Sequence, residues 1–241
     1  MSIIVDQLET ERFGVICARE EFPNTNLEEI NKTAYQKAVS MMFMRVDVAD
    51  ILRIHALEND GYHLMDTLVY YGGTLENLKN LITLPDGIVV RMASVLDRDA
   101  ISSVAQEVFR NYFGHYHADP RFDNDDADQA YIEWAGSSIS NISDKTPVLI
   151  AEKKGKVIGF LTMRLNTPDQ GEIILNGVHP DHQCRGVYSS LFERSKYTLA
   201  EIGAKRAIIS TQINNYAVQK VWARSGLVHE QSYYTFHKWY D

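Results

Sequence analysis

The chain has 241 residues, of which 45% are hydrophobic and 23% charged, an ordinary balance for a folded protein of one and a half to two domains. A formal net charge of −8 excludes a nucleic-acid backbone as partner, because such binding needs a basic face. An anionic ligand then has to be held by local donors, since bulk attraction has the wrong sign.

In chain order, the N-terminal run MSIIVDQLETERFG carries early acids and lacks the apolar segment of a signal peptide. No later stretch approaches the roughly 18 apolar residues that cross a bilayer. Cys17 and Cys184 lie far apart and read as free thiols of a reducing compartment. The expectation is a cytoplasmic protein with no membrane insertion and no metal site. Pro23-Asn24, Gly72-Gly73, Pro85-Asp86-Gly87 and Ser143-Asp144 read as hinge-like punctuation. Leu27 to Met44 is helix-like, and Ile101 to Phe113 is a second helical segment after an N-cap at Asp97 or Asp99. Val148 to Glu152 and Val157 to Met163 flank Lys154-Gly155-Lys156 as a β-hairpin. Glu172 to Val178 reads as a strand, Arg185 to Ile202 as a helix and Arg206 to Gln212 as a strand. Tyr216 to Ser225 is a helix stopped by Gly226, and Ser232 to Trp239 a closing strand. This alternation predicts an α/β fold with a mixed sheet.

Aligning Gly61 with Gly226, an offset of 165 residues, superposes MRVDVADILRIHALENDGYHLMDTLVYY on IISTQINNYAVQKVWARSGLVHEQSYYTF. Each runs strand, polar turn, amphipathic helix, glycine stop and aromatic-rich strand. The matched order predicts a degenerate half-copy in the first part of the chain, structural in role because it has no Gly/Arg loop. The expected division is 1–84 for the half-copy and 85–241 for the catalytic domain.

From Gly171 to Phe192 a buried strand runs into a polar turn at Pro180, after which Gln183-Cys-Arg-Gly-Val-Tyr opens a helix. Successive backbone N–H groups of such a turn form a concave nest, and the helix start adds further unpaired donors. The stretch resembles the acyl-CoA-binding motif of the GNAT superfamily, a strand followed by Gln/Arg-x-x-Gly-x-Gly/Ala and a helix. Gln183, Arg185 and Gly186 match it, Val178-His179-Pro180 stand where the family has an apolar residue, His and Pro, and Tyr188 replaces the final Gly/Ala. The resemblance implies a GNAT fold with a smaller half-GNAT domain before it. It also implies acyl-CoA as cosubstrate, bound by Val178, Gln183, Cys184, Arg185, Gly186, Val187, Tyr188 and Ser189. Downstream, Asn215, Trp222, Gly226 and Leu227 fall where the family has Asn, Tyr, Gly and Phe. Asn215 is then expected beside the pantetheine arm. The family's Tyr often protonates the leaving thiolate; Trp222 brings no such acid and is either a core residue or a wall of the acyl pocket.

Aminolysis of a thioester needs a neutral amine, a polarised carbonyl and alignment of the two. Backbone N–H groups near Val178, at a strand end splayed from its neighbour, are expected to donate to the carbonyl oxygen. Glu172 is the candidate base by its spacing from Arg185, and Asn176 lies on the same strand face by period two. His115, His117 and His237 are alternative bases. Cys184 reads as a packing residue.

The segment from Asn111 to Trp134 is dense in rings, His, Asp and Arg, as recognition surfaces are. Its pattern, with Phe13-Gly14 upstream, resembles the dTDP-amino-sugar N-acyltransferases of the dTDP-fucosamine acetyltransferase type. That likeness implies transfer of acetyl or a hydroxyacyl such as 3-hydroxybutanoyl from acetyl-CoA or 3-hydroxybutanoyl-CoA to a nucleotide-linked amino-dideoxyhexose for cell-surface polysaccharide. Phe113, His115, Tyr116, His117, Arg121, Phe122, Tyr131 and Trp134 are the implied acceptor residues. Two other readings stay open: a GNAT acting on a polyamine or aminoglycoside through the acidic run Asp123 to Asp128, and a non-catalytic acyl-CoA-binding module. Assembly as a homodimer is also left open.

Overall fold

The structure, a computed structural model, describes residues 2–22, 25–76, 78, 84–110 and 112–240. The hinge expected at Pro23-Asn24 and the start of the aromatic segment at Asn111 lie outside the described residues. The chain divides into two units. The first holds Met1–Val69, Phe113–Ala127 and Gln231–Asp241, and the second holds Tyr70–Tyr112 and Asp128–Glu230. This partition differs from a single cut at residue 84, because most of the aromatic segment and of the last strand belongs to the first unit.

In the first unit, β1 (Ile3–Val5) runs antiparallel to β2 (Cys17–Glu20), with α1 (Gln7–Phe13) between them. β2 is parallel to β3 (Met41–Asp47), joined to it by the crossover helix α2 (Leu27–Gln36). Helix α3 (Ile51–Asn59) leads on to β4 (His63–Thr74), and the short α5 (His115–Ala118) lies in the aromatic segment. β10 (Val228–Trp239) enters beside β3, antiparallel, with Tyr233 opposite Asp47 and Trp239 opposite Met41. The strand order is β1-β2-β3-β10-β4. The helix expected over Leu27 to Met44 thus ends at Gln36. Ala38 takes a left-handed φ of +50°, and Met41-Met42-Phe43-Met44 forms a strand buried against Ile30, Ala34 and Phe236. A short apolar run fits a buried strand as well as a helix, which is why the sequence misleads here. Gly72-Gly73, expected to be a hinge, lies inside β4.

The second unit has the order β4-β9-β8-β7-β6-β5. Its strands are β5 (Ile88–Met92), the hairpin β6 (Val148–Lys153) and β7 (Lys156–Thr167), β8 (Gln170–Val178) and β9 (Arg206–Gln212), and β4 enters from the first unit. Lys154 and Gly155, with φ of +50° and +74°, form the two-residue hairpin turn whose twist matches that of its strands. Helices α7 (Val187–Glu201) and α8 (Tyr216–Arg224) build one core with Leu161, Leu191, Phe192, Ile209 and Trp222. Helix α4 (Arg98–Phe109) and the later turns of α6 (Asn124–Ser140) build the other with Ile101, Phe109, Ile139, Phe160 and Leu175. Burial on both faces explains the nearly continuous apolar runs of β6 and β7. The mixed α/β fold expected from the sequence is present.

The repeat is present in the backbone. β3, α3 and β4 have 7, 9 and 12 residues, and β9, α8 and β10 have the same 7, 9 and 12 at the same offset. Gly61 and Gly226, with φ of +81° and +89°, end the two helices in the left-handed conformation that suits glycine. β3 accepts β10 within the first unit and β9 accepts β4 within the second, so the closing strands are exchanged between the copies. Equivalent hydrogen bonds mark both junctions: Tyr240 N–H donates to Ser40 C=O at 2.9 Å, and Leu75 N–H to Lys205 C=O at 2.7 Å. The exchange makes the C-terminal strand part of the first unit's core. Phe236 is 1% exposed there, so Phe236→Ala is expected to destabilise that unit by about 3–5 kcal/mol. Urea unfolding followed by far-UV circular dichroism checks the value.

Candidate active site

The site begins where two strands part. β8 and β9 pair in parallel from Gln170 opposite Arg206 to Ile173 opposite Ile209, and the pairing stops there. β8 continues along β7 to Val178 with one extra residue, a bulge between Ile173 and Asn176. Leu175 N–H, displaced by the bulge, donates to Thr162 Oγ1 at 3.0 Å. His179 N–H donates to Ile158 C=O at 2.8 Å. By the alternation of an antiparallel ladder, Gly177 N–H faces β7 as well, while the N–H groups of Asn176 and Val178 face the side that β9 has left. The half-buried Asn176 side chain has no partner among the described residues.

Beyond Val178 the chain makes a short 3-10 turn at Pro180–His182, and Gln183 Nε2 donates to Val178 C=O at 3.0 Å. Gln183 therefore ties the loop to the strand. Cys184 and Gly186 adopt φ of +58° and +79°, which turns successive N–H groups to one side. Among the described residues none of the N–H groups from Cys184 to Ser189 has an acceptor; the ladder starts with Ser190 N–H to Gly186 C=O at 3.0 Å. Helix α7 has no side-chain cap and no acid in its first turn. The crossover helix of the shorter copy is the opposite. Asn26 Oδ1 accepts from the N–H groups of Glu28 and Glu29, and both carboxylates stand in the first turn of α2. An anion is favoured at α7 and repelled at α2. The donors at α7 suit a pyrophosphate, which fits an acyl-CoA cosubstrate.

Several expected site residues take other parts. Cys184 is exposed, not packed. Arg185 and Ser189 are exposed and Val187 is buried, and Arg185 has no ion-pair partner among the described residues. Trp222 is a core residue, 1% exposed, and its indole Nε1 donates to Tyr188 Oη at 2.9 Å. The two departures from the motif are therefore one contact: the ring in the Gly/Ala position accepts from the ring in the Tyr position. Burial pushes the Tyr188 phenol up, with the Trp222 hydrogen bond acting the other way, so it is a neutral donor and no acid. Asn215 Nδ2 donates to Thr211 Oγ1 at 3.0 Å and leaves α8 uncapped by its side chain. Glu172, the expected base, is held by neighbouring side chains. It lies in the paired stretch directly opposite Arg164, whose Nη2 reaches Glu172 Oε2 at 2.6 Å, with Asn166 Nδ2 on the same oxygen at 2.9 Å.

The residues expected to meet the acceptor are divided between the units. In the first, Phe13 packs on Tyr116 and Phe122 with ring centroids 5.0 and 4.2 Å apart, and the Arg121 guanidinium lies 4.2 Å above the Trp239 ring. Phe113 is exposed, and His117 Nδ1 accepts from Gly114 N–H at 3.3 Å. Asp119 Oδ2 accepts from His237 Nδ1 at 2.8 Å and Trp239 Nε1 at 2.9 Å, and His237 Nε2 meets His115 Nδ1 at 2.9 Å. Burial works against the Asp119 carboxylate, but the hydrogen bonds from His237 and Trp239 outweigh it and hold its pKa below the ordinary value. Sequence reasoning missed Asp119 and Trp239, whose partners lie more than a hundred residues away. In the second unit, Tyr131 stacks on Phe109 in the core and Trp134 is exposed on α6. Tyr112 Oη donates to Gln212 Oε1 at the end of β9, another contact without a signal in spacing. Asp123 caps α6 by accepting from Asp125 N–H at 2.8 Å, with Asp125 and Asp126 in the first turn. Among the described residues there is no cluster suited to a metal ion and no helix long and apolar enough to cross a membrane.

Residues 104–227 match the acetyltransferase (GNAT) family, about half of the chain. The chain belongs to that family, whose members generally take an acyl group from acyl-CoA. It is 26% identical over 144 residues to the spore coat polysaccharide biosynthesis protein SpsD of Bacillus subtilis, across 59% of this chain and 48% of that one. The matched region thus spans about half the length of that relative. A GCN5-related N-acetyltransferase from Sphaerobacter thermophilus has a similar fold, with a TM-score of 0.70 and 14% identity over 98% of this chain and 76% of that one. A functionally unknown conserved protein from Staphylococcus epidermidis follows at 0.69 and 15%, over 100% of this chain and 92% of that one.

Gly186 tests the loop. An added Cβ would meet only Pro85 Cγ at 3.5 Å, so the backbone conformation, and not crowding, calls for glycine. Gly186→Val is expected to fold, to lose the left-handed turn and to raise the KM for acyl-CoA at least about tenfold, since a left-handed β-branched residue is strongly disfavoured. Steady-state kinetics, with circular dichroism as the folding control, decide it.

Proposed function

We propose that the protein transfers an acyl group from acyl-CoA to the amine of a nucleotide-linked amino sugar. One observation carries the reading. The N–H groups from Cys184 to Ser189 and at Asn176 and Val178, unpaired among the described residues, belong to one unit, an anion nest and two strand donors on either side of a single turn. The nest suits the pyrophosphate of CoA. The strand donors suit the charge that grows on the thioester carbonyl oxygen when an amine attacks, and one such donor is worth about 10²–10³ in rate in other enzymes. A module that only bound acyl-CoA would have no use for the two strand donors. The carbon–nitrogen bond forms, the carbon–sulfur bond breaks, and the proton lost by the amine balances the departing thiolate, so that the products are the amide and CoA as its free thiol.

The finer reading is a dTDP-linked amino-dideoxyhexose as acceptor, in the making of a cell-surface polysaccharide. Similarity to a protein named for spore coat polysaccharide biosynthesis supports it. So does the ring cluster of Phe13, Tyr116, Phe122 and Trp239 with Arg121 stacked on it, which suits a flat base and a diphosphate. The polyamine reading loses its support, because the acidic run from Asp123 caps α6. The transferred group is acetyl or a short hydroxyacyl such as 3-hydroxybutanoyl.

A competition assay with acetyl-CoA and 3-hydroxybutanoyl-CoA tests the acceptor. dTDP-amino sugars are expected to outcompete the free amino sugar, spermidine and an aminoglycoside by several orders of magnitude in kcat/KM. Arg121→Ala is expected to weaken the nucleotide sugar selectively. Preference for spermidine or the aminoglycoside contradicts the acceptor assignment and leaves acyl transfer standing.

A further inference from the structure

We propose that Tyr112, tied to Gln212, walls the opening between β8 and β9 on the side of α4 and restricts the transferred acyl group to a short one. The proposal rests on the acyl-transfer reading above and adds to it the residue that selects the acyl chain. Every residue it uses belongs to the second unit.

The two faces of the opening follow from the helix that each side chain meets. On β8, Ile173 packs with Leu191 and Phe192 of α7, whereas Leu175 packs with Ile101 and Phe109 of α4. Two residues apart, they would share a face in a regular strand, and the bulge reverses that. Gly177 then lies on the α4 face, where an added Cβ would collide with Val108, and Val178 packs on the α7 face. On β9, Ala207 and Ile209 pack with α7, so by period two Gln212 faces α4.

The end of α4 thus reaches both strands where they part. Val108 lies against Gly177 of β8. The turn that closes α4, Tyr112 N–H to Phe109 C=O at 2.9 Å, brings the Tyr112 hydroxyl to Gln212 Oε1, three residues beyond the last pair of β9 with β8. The phenol ring sits edge-on to Phe109 and Tyr131, with centroids 5.4 and 5.0 Å away. Two rings and a hydrogen bond hold it in place, yet it is only half-buried, so part of the ring is uncovered. On the acyl-transfer reading, the nest at the start of α7 brings the CoA chain and its sulfur from the α7 face. The N–H groups of Asn176 and Val178 fix the carbonyl oxygen in the gap. Sulfur and acyl chain leave the trigonal carbonyl carbon in different directions, so the chain continues toward the α4 face and meets Tyr112, Gln212 and Val108. A methylene that does not fit such a wall costs about ten- to two-hundredfold in kcat/KM.

The test compares kcat/KM of the whole protein for acetyl-, butanoyl-, hexanoyl- and octanoyl-CoA, with a dTDP-linked amino sugar as acceptor. Wild type is expected to fall off at least about tenfold between butanoyl and hexanoyl. Tyr112→Ala, and Tyr112→Leu, which keeps apolar packing against Phe109 and Tyr131, are expected to raise the hexanoyl-to-acetyl ratio at least about tenfold. The KM for acetyl-CoA should change little, because the nest lies on the other face. Tyr112→Phe keeps the ring and loses the tie to Gln212. It is expected to keep the wild-type ratio and to lower kcat about fivefold, the worth of one hydrogen bond. Circular dichroism confirms folding. A ratio that stays at the wild-type value in a folded Ala or Leu variant, or a wild type that uses octanoyl-CoA as well as acetyl-CoA, overturns the wall. A wild-type protein that binds these thioesters but acylates no amine contradicts the acyl-transfer reading instead. Calorimetric affinities for the same series, in wild type and Tyr112→Leu, then decide the wall.

Discussion

A backbone N–H that finds no acceptor is costly once water is withdrawn, and native chains leave few of them. Here they accumulate where β9 parts from β8 and α7 starts without a cap. The surrounding structure keeps them so. The bulge in β8 sends Leu175 N–H to Thr162 and leaves Asn176 and Val178 facing the gap. The Gln183 carboxamide donates to Val178 C=O and fixes the loop against the end of the strand. Cys184 and Gly186 in left-handed conformations aim the next N–H groups together. In an acidic protein this fixed set of dipoles provides what net charge cannot: attraction for an anion at one place.

The shorter copy makes the same point by contrast. Both copies hold a parallel strand pair with a crossover helix, then a helix and an exchanged strand, and the second strand of the pair, the helix and the exchanged strand have equal lengths in the two. In the first unit Asn26 and two glutamates occupy the start of the crossover helix. In the second it is left open. A few residues at one helix terminus thus separate a capped, acidic helix start from an open one on the same architecture. The exchanged strand also has a structural consequence: β10 carries His237 and Trp239 to Asp119, so the polar network of the first unit depends on the closing strand.

Much of this was legible in the sequence, and the failures have physical causes. The hairpin, β9, α8 and the repeat were read because their periodicity and glycine stops are local. The strand, turn and helix start around Gln183 are legible for the same reason, since they are contiguous. Leu27 to Met44 was misread because an apolar run of methionines suits a buried strand equally well. Glu172 looked like a base by spacing along its strand, but its ion pair with Arg164 depends on which residue lies opposite in the neighbouring strand. The Tyr188–Trp222 contact and the Asp119–His237–His115 chain join distant segments, and no periodicity announces them. Both involve residues that a motif comparison would count only as departures or as isolated histidines.

On the reading proposed above, the open start of α7 and the parted end of β8 together hold the acyl-CoA. Titrating the nitrogen-15-labelled protein with CoA and following backbone amides tests it most directly. The account predicts the largest shifts at Cys184 to Ser189, smaller ones at Asn176 and Val178, and none in the first turn of α2 at Glu28 and Glu29. Shifts centred on α2 or elsewhere, with Cys184 to Ser189 unmoved at saturation, would contradict it.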